Sequence, residues 1–174
     1  MGVAHRVRQG LHGLFAFALP VDTDLAARWL SPPLLALFER QGRVERRHSL
    51  NVLRSILAQG DAPADLAVAA LLHDVGKSRY PLAVWQKTLA VLTRRFAPAV
   101  FRRLSAGDPR RIFVRPFVVY VHHPAWSAEM IAATGEASAD ALWLVEHHQD
   151  DRMRWQDHHL YTVLKRLQVA DDAN

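Results

Sequence analysis

Along almost the whole of this chain the apolar residues recur three and four positions apart, and no stretch sustains the alternation of a half-buried strand. That periodicity restricts the chain to packed helices, and the expected class is an all-α, single-domain helical bundle. Its 174 residues suffice to bury one core. Predicted helices run over residues 3–19, from Thr23 or Asp24 through Leu30, and from the start signal Ser31-Pro32-Pro33 to Gln41. Others run over 45–59, ended by Gly60, and over 63–73, ended near Gly76. Residues 81–103 hold one or two helices broken around Pro98, and Gly107-Asp108-Pro109 is a turn. Pro124 is read as opening a helix to Thr134, with further helices over 138–148 and 161–171. Residues 113–121, rich in β-branched and aromatic side chains, fit either a short strand or a buried helix. Residues 1–44 are expected to form an N-terminal helical extension beside a core over 45–172.

There is no cysteine, which excludes disulfides and thiolate metal sites, so any metal must sit on nitrogen and oxygen. A cytoplasmic protein fits this composition. The net charge is +5 and arginine dominates it, much of it between Arg94 and Arg115. Such an excess favours anionic partners: phosphorylated metabolites, nucleotides, nucleic acid or an acidic membrane. Arg94, Arg95, Arg102, Arg103, Arg110 and Arg111 form three pairs eight residues apart, readable as a cleft wall, a lid or a solvated face. A nucleic-acid-binding domain is disfavoured, because no helix-turn-helix signature and no interleaving of aromatic with basic residues is read here. Arg6 and Arg8 precede an apolar run over residues 11–21 that is too short to span a bilayer, which takes about 20 residues. It reads as an amphipathic helix capable of peripheral membrane contact, with a weak signal peptide as the competing reading.

The chemistry lies in histidines and aspartates placed on stripes that should be apolar. His48 precedes Val52 by four and Ile56 by eight, on their face of one helix. His73 extends the stripe of Leu66 and Ala70, and Asp171 follows Leu160, Leu164 and Leu167 at helical spacing. A carboxylate on a core-facing stripe is costly unless paired or bound to metal. His73 and Asp74 would face about 100° apart on a regular helix, so both can aim at one point only if the helix unwinds. Gly76 is expected to supply that unwinding through its conformational freedom. His122-His123-Pro124 and His147-His148 add two more pairs at predicted helix ends. Taken singly, each histidine is an ordinary hydrogen-bonded core residue and Asp171 an ion-pair partner. Taken together, they form a nitrogen and oxygen ligand set.

The order His48, His73-Asp74, Asp171 resembles the signature of HD-domain metalloenzymes. Leu71-Leu72-His73-Asp74-Val75-Gly76-Lys77 is similar to the HDIG subtype, as are His123-Pro124 followed by Ala128-Glu129-Met130-Ile131, the His147-His148 pair and Val169-Ala170-Asp171. The resemblance covers roughly residues 48–171. It implies an α-helical bundle with two divalent transition metal ions, of Fe, Mn, Co, Ni or Zn type. His48, His73, Asp74 and Asp171 match the ligands of the first metal, with Asp74 bridging, and His123, His147 and His148 match those of the second. Asp74 and Lys77 match the catalytic pair, Lys77 lying beside the substrate phosphate.

The activity so implied is phosphate-ester hydrolysis of a nucleotide, phosphomonoester or cyclic dinucleotide by a metal-bridging hydroxide. A signalling or scaffold module without activity is the alternative. The chain departs from cyclic-di-GMP phosphodiesterases of the related HD-GYP group: Gln149 stands where they carry Glu, and Gly-Tyr-Pro is absent.

Overall fold

The computed structural model describes residues 21–174, and every regular element among them is helical. The expected helix over residues 3–19, with its membrane contact, lies outside the described residues. In chain order the elements are α1 (Thr23–Ala27), α2 (Pro32–Arg40), α3 (Arg43–Leu57), α4 (Ala64–Leu72), α5 (Val84–Phe96), α6 (Pro98–Ser105), α7 (Arg115–Ala132), α8 (Ala139–His147) and α9 (Tyr161–Ala173). Two 3₁₀ turns, Val75–Arg79 and Arg152–Trp155, follow α4 and α8.

Helix α4 is the centre. Its sequence is apolar on every side, so the only stable place for it is inside, and Leu66 through Leu72 are all buried. Burial of each large side chain stabilises by roughly 1.5–3 kcal/mol. Helices α3, α8 and α9 pack around α4, while α7 lies against α8 and the first 3₁₀ turn. Helices α1 and α2 contribute Ala26, Leu34, Leu37 and Phe38 to the same core. Helices α5 and α6 stand apart as an arm on the start of α7, with a small cluster of their own built from Ala90, Phe101 and Phe117.

Local details differ from the sequence expectations in three places, and the open choice over residues 113–121 is decided for the buried helix. The cap of α1 is Asp22, whose carboxylate accepts the Leu25 amide at 3.1 Å, and the helix stops at Ala27 rather than Leu30. Residues 113–121 are not a strand: α7 begins at Arg115, with Pro116 in its first turn, and buries Phe117, Val118 and Val119. Packing thus overrides their β propensity. Pro124 opens no helix but lies inside α7. Gly76 adopts no left-handed conformation, since Gly60 and Gly135 are the glycines with positive φ among the described residues. The chain leaves the helix at Asp74 (φ −100°, ψ 1°), and Gly76 serves a different purpose. A Cβ there would fall on the His123 carbonyl oxygen and within 2.8 Å of the Ser127 nitrogen. Glycine lets the turn lie directly on α7.

Candidate metal centre

A helix end leaves carbonyl groups without intrahelical donors, and a buried end must find donors elsewhere. At the end of α4 they come from the residues that build the site. The His73 amide donates to Ala69 at 2.8 Å and the His73 ring Nδ1 meets the Ala70 carbonyl at 3.0 Å. Gln41 Nε2 donates to the Leu71 carbonyl at 2.9 Å. Ser127 Oγ donates to the His73 carbonyl at 2.7 Å and accepts the Gly76 amide at 2.8 Å. The turn that carries His73 and Asp74 is thereby fixed from both sides.

The same device recurs at the other two buried rings. Pro124 cannot donate to the Tyr120 carbonyl four residues back. His123 Nδ1 meets that carbonyl at 3.1 Å and Val119's at 3.0 Å. At the end of α8, His148 Nδ1 meets the Val145 carbonyl at 2.7 Å, while Gln168 Nε2 donates to the carbonyls of His148 and Asp150. A carbonyl can only accept, so Nδ1 carries the proton in all three rings and a neutral ring presents a bare Nε2 lone pair.

Those Nε2 atoms converge on one carboxylate. His123 Nε2 is 3.2 Å and His148 Nε2 3.9 Å from Asp74 Oδ1, and His73 Nε2 is 3.6 Å from Asp74 Oδ2. All three are buried and none has a hydrogen-bond partner, including His123 despite its short approach. Lone pairs facing a carboxylate repel unless a cation stands between them. Asp171 completes the cluster, with Oδ1 at 2.8 Å from His48 Nε2 and 3.6 Å from His73 Nε2. Three overlapping sets have ligand atoms close enough to share an ion: His48, His73 and Asp74; His73, His148 and Asp171; and Asp74, His123 and His148. Asp74 belongs to two of them, one on each side of its carboxylate.

The electrostatics favour ionised carboxylates and neutral His123 and His148 rings, while His73 is drawn toward its cation. Burial alone would raise the Asp74 pKa, but Lys77, His73 and His123 outweigh it and hold the carboxyl well below its ordinary range. Asp171 is likewise held low against its burial by His48 and His73. Burial lowers His123, and it lowers His148 further with help from the neighbouring His73 and His123, so both rings favour the neutral, ligand-competent form. His73 shifts up: burial opposes its cation, but Asp74 and Asp171 prevail. Lys77 is raised too, its burial outweighed by Asp74, whose Oδ2 lies 2.6 Å from Nζ.

Six of the residues singled out in the sequence as metal ligands therefore meet: His48, His73, Asp74, His123, His148 and Asp171. The structure does not bring His147 to them. Its Nδ1 pairs with Asp150 Oδ2 at 2.9 Å, and its ring lies against Trp143 and Trp155 on the outer side of α8. Adjacent residues at a helix end diverge by about 100°, so only one of the pair can face inward. The inward one is His148, which continues the buried stripe of Ala141, Leu144 and Val145. Ser127 and Gln168 were not singled out. Their signal was a polar residue on a buried stripe, four positions after His123 and Leu164 respectively.

Two cavities open beside the cluster. One, about 330 Å³, is polar and lined by Arg94, Tyr120, His148, Gln149, Arg152 and Asp171. The other, about 380 Å³, has Asp74, Lys77 and Lys87 among apolar walls that include Val44, Leu82 and Val84. Both fall in the size range of small-molecule sites. The sequence model of the HD domain matches residues 46–173. No curated protein and no solved structure matches the chain.

Proposed function

The chain belongs to the HD-domain family, and from that premise we propose that it is a metal-dependent phosphohydrolase of the HDIG subtype acting on a phosphate ester. The observation that carries this reading is the set of three buried, unpartnered Nε2 atoms around the Asp74 carboxylate. A divalent cation among these atoms would turn their mutual repulsion into coordination. The donor set fits a divalent transition metal, being nitrogen and oxygen without sulfur and too rich in imidazole for Mg or Ca alone.

We assign two ions. His48, His73, Asp74 and Asp171 would hold the first, and Asp74, His123 and His148 the second, with Asp74 shared. Such ions supply Lewis-acid polarisation of a phosphoryl oxygen and a water of lowered pKa. The protein's own residues do the rest. The backbone-anchored rings keep Nε2 bare and fixed in direction, an orientation that tunes ligand strength. Lys77 reaches from the larger cavity to Asp74, so its ammonium is placed to take a phosphoryl oxygen and stabilise charge gathering there. Arg94 and Arg152, which line the polar cavity, offer donors to a second anionic group of a nucleotide or other phosphorylated metabolite.

Elemental analysis of protein prepared without chelator tests the metal, with close to two transition metals per chain expected and Asp74→Ala expected to lose them. Turnover of phosphomonoesters, nucleotides and cyclic dinucleotides with Mn then tests the activity. Metal-free native protein would falsify the reading. Metal without turnover across the panel would instead favour the scaffold alternative.

A further inference from the structure

The arm formed by α5, α6 and the turn before α7 has an unusual surface. Phe96, Val84 and Phe113 are 77%, 74% and 70% exposed, and Trp85, Val91, Leu92, Val100 and Ile112 are each about half exposed or more. On α5 the residues Val84, Val91 and Arg95 share one outward line, and Trp85, Leu92 and Phe96 the next. The Trp85 and Phe113 rings meet at 6.0 Å, and Gln86 Nε2 donates to the Ile112 carbonyl at 2.7 Å, which joins the turn to the helix. Contiguous exposed apolar patches of this kind mark interaction sites.

The charge of this region identifies the use. Residues 80–128 contain one lysine, seven arginines and a single aspartate, a net +7, whereas the whole chain carries +5 and the remainder is therefore −2. Arg94, Arg95, Arg102, Arg103, Arg110 and Arg111 make no ion pair among the described residues. Contrary to the sequence expectation, basic and aromatic residues do interleave here: Arg94-Arg95-Phe96, Phe101-Arg102-Arg103 and Arg110-Arg111-Ile112-Phe113. The aromatics at the ends of this series are exposed, and Arg95 lies over the Phe96 ring at 5.7 Å.

We propose that this arm docks on an anionic phospholipid bilayer, with its aliphatic and aromatic face at the acyl boundary and Arg95, Arg102, Arg103, Arg110 and Arg111 on the headgroup phosphates. Aromatic and aliphatic residues beside unpaired arginines are what an interfacial helix needs, and each basic residue near an anionic leaflet adds attraction. A second copy of the chain is the poorer occupant, because pairing the patch with itself would bring two clusters of unpaired arginines together. Nucleic acid would use the arginines and the rings. It would leave Val84, Val91, Leu92, Val100 and Ile112 in water, for aliphatic side chains offer no face on which bases stack.

The proposal is independent of the metal centre and is tested by co-sedimentation of the full chain with vesicles. Binding is expected to phosphatidylcholine vesicles containing phosphatidylglycerol, to weaken as salt rises, and to be slight with phosphatidylcholine alone. Trp85→Ser with Phe113→Ser should weaken it at least about tenfold without moving the melting temperature, while Trp85→Phe with Phe113→Leu should retain it. No binding to the anionic vesicles, equal binding to both kinds, or undiminished binding by the serine variant would each overturn the proposal. So would tighter binding to single-stranded RNA, or a dimer that the serine pair dissociates.

Discussion

Helices α4 and α5 both carry long apolar side chains, but α4 turns all of them inward, while α5 leaves Val84, Trp85, Val91 and Leu92 in water and fully buries only Gln86 and Ala90. Helix α4 ends in the ligand turn, its last carbonyls taken by Gln41, Ser127 and the His73 ring. Helix α5 ends at Phe96, beside the break at Ala97 and Pro98, and Phe96 is exposed among the described residues. Precision at the candidate metal centre is thus supplied by the encased unit, whereas the arm turns its apolar side chains outward. Substitutions in the two units should behave differently, and the contrast can be measured.

The largest effect is expected from Leu71→Ala. Leu71 is fully buried and surrounded by core, so truncation leaves a cavity in a unit that cannot collapse, at a loss of about 2–5 kcal/mol. Urea denaturation monitored by helical circular dichroism would measure it. A loss under 1 kcal/mol would mean that α4 is not the rigid centre of the fold.

Gly76→Ala comes next. The added methyl meets Ser127 and the His123 carbonyl, so α7 and the ligand turn must separate, at the upper end of the overpacking range of about 1–3 kcal/mol. The same separation displaces His123, so metal content should fall along with stability. Gly135→Ala gives the control. Its φ of 70° makes alanine unfavourable there, but nothing lies near its Cβ, so stability should drop by about 1–2 kcal/mol with metal binding intact.

The comparison also explains what was legible in the sequence. Stripe positions of His48, His73 and Asp171 could be read because burial of a polar group on an apolar helix face has few causes, and periodicity reports faces. The helical class of the described α-helices followed from the same signal, except over 113–121, where strand and buried helix stayed open, and neither 3₁₀ turn was legible. The choice between His147 and His148 rested on family order and was not resolved, although the stripe of Ala141, Leu144 and Val145 pointed to the latter. Gly76 was given the wrong reason because close approach of a second helix is a tertiary fact that local propensity does not contain. Pro124 misled for a local reason: its missing N–H frees the Tyr120 carbonyl for the His123 ring of the same helix, which runs on through the proline. The arm's outward apolar face was hidden by α5's own periodicity, which gives apolar positions but not which of them find a partner.

His148→Ala and His147→Ala sharpen the contrast at single-residue resolution. The first removes a ring whose Nε2 faces Asp74, and metal affinity of the second ion should fall at least about 10–100-fold, the scale seen for even indirect supports of metal sites. The second removes a part-buried ring held by Asp150 and Trp155 away from the cluster, and metal content should stay at the native value. Titration with Mn or Zn against a chelator reads both. Equal losses would show that α8 rotates its end toward the centre when metal is present.

Leu92→Ala should have the smallest effect. Leucine is half exposed here, so its removal gives up little buried area, and surface changes of this kind usually stay within about 0.5 kcal/mol. The same residue type that is expected to cost several kcal/mol at position 71 should then be nearly silent at position 92. A melting curve compared with Leu71→Ala decides the point. A loss above about 1.5 kcal/mol in the isolated chain would mean that Leu92 is already covered in solution, and the arm would no longer be a free surface.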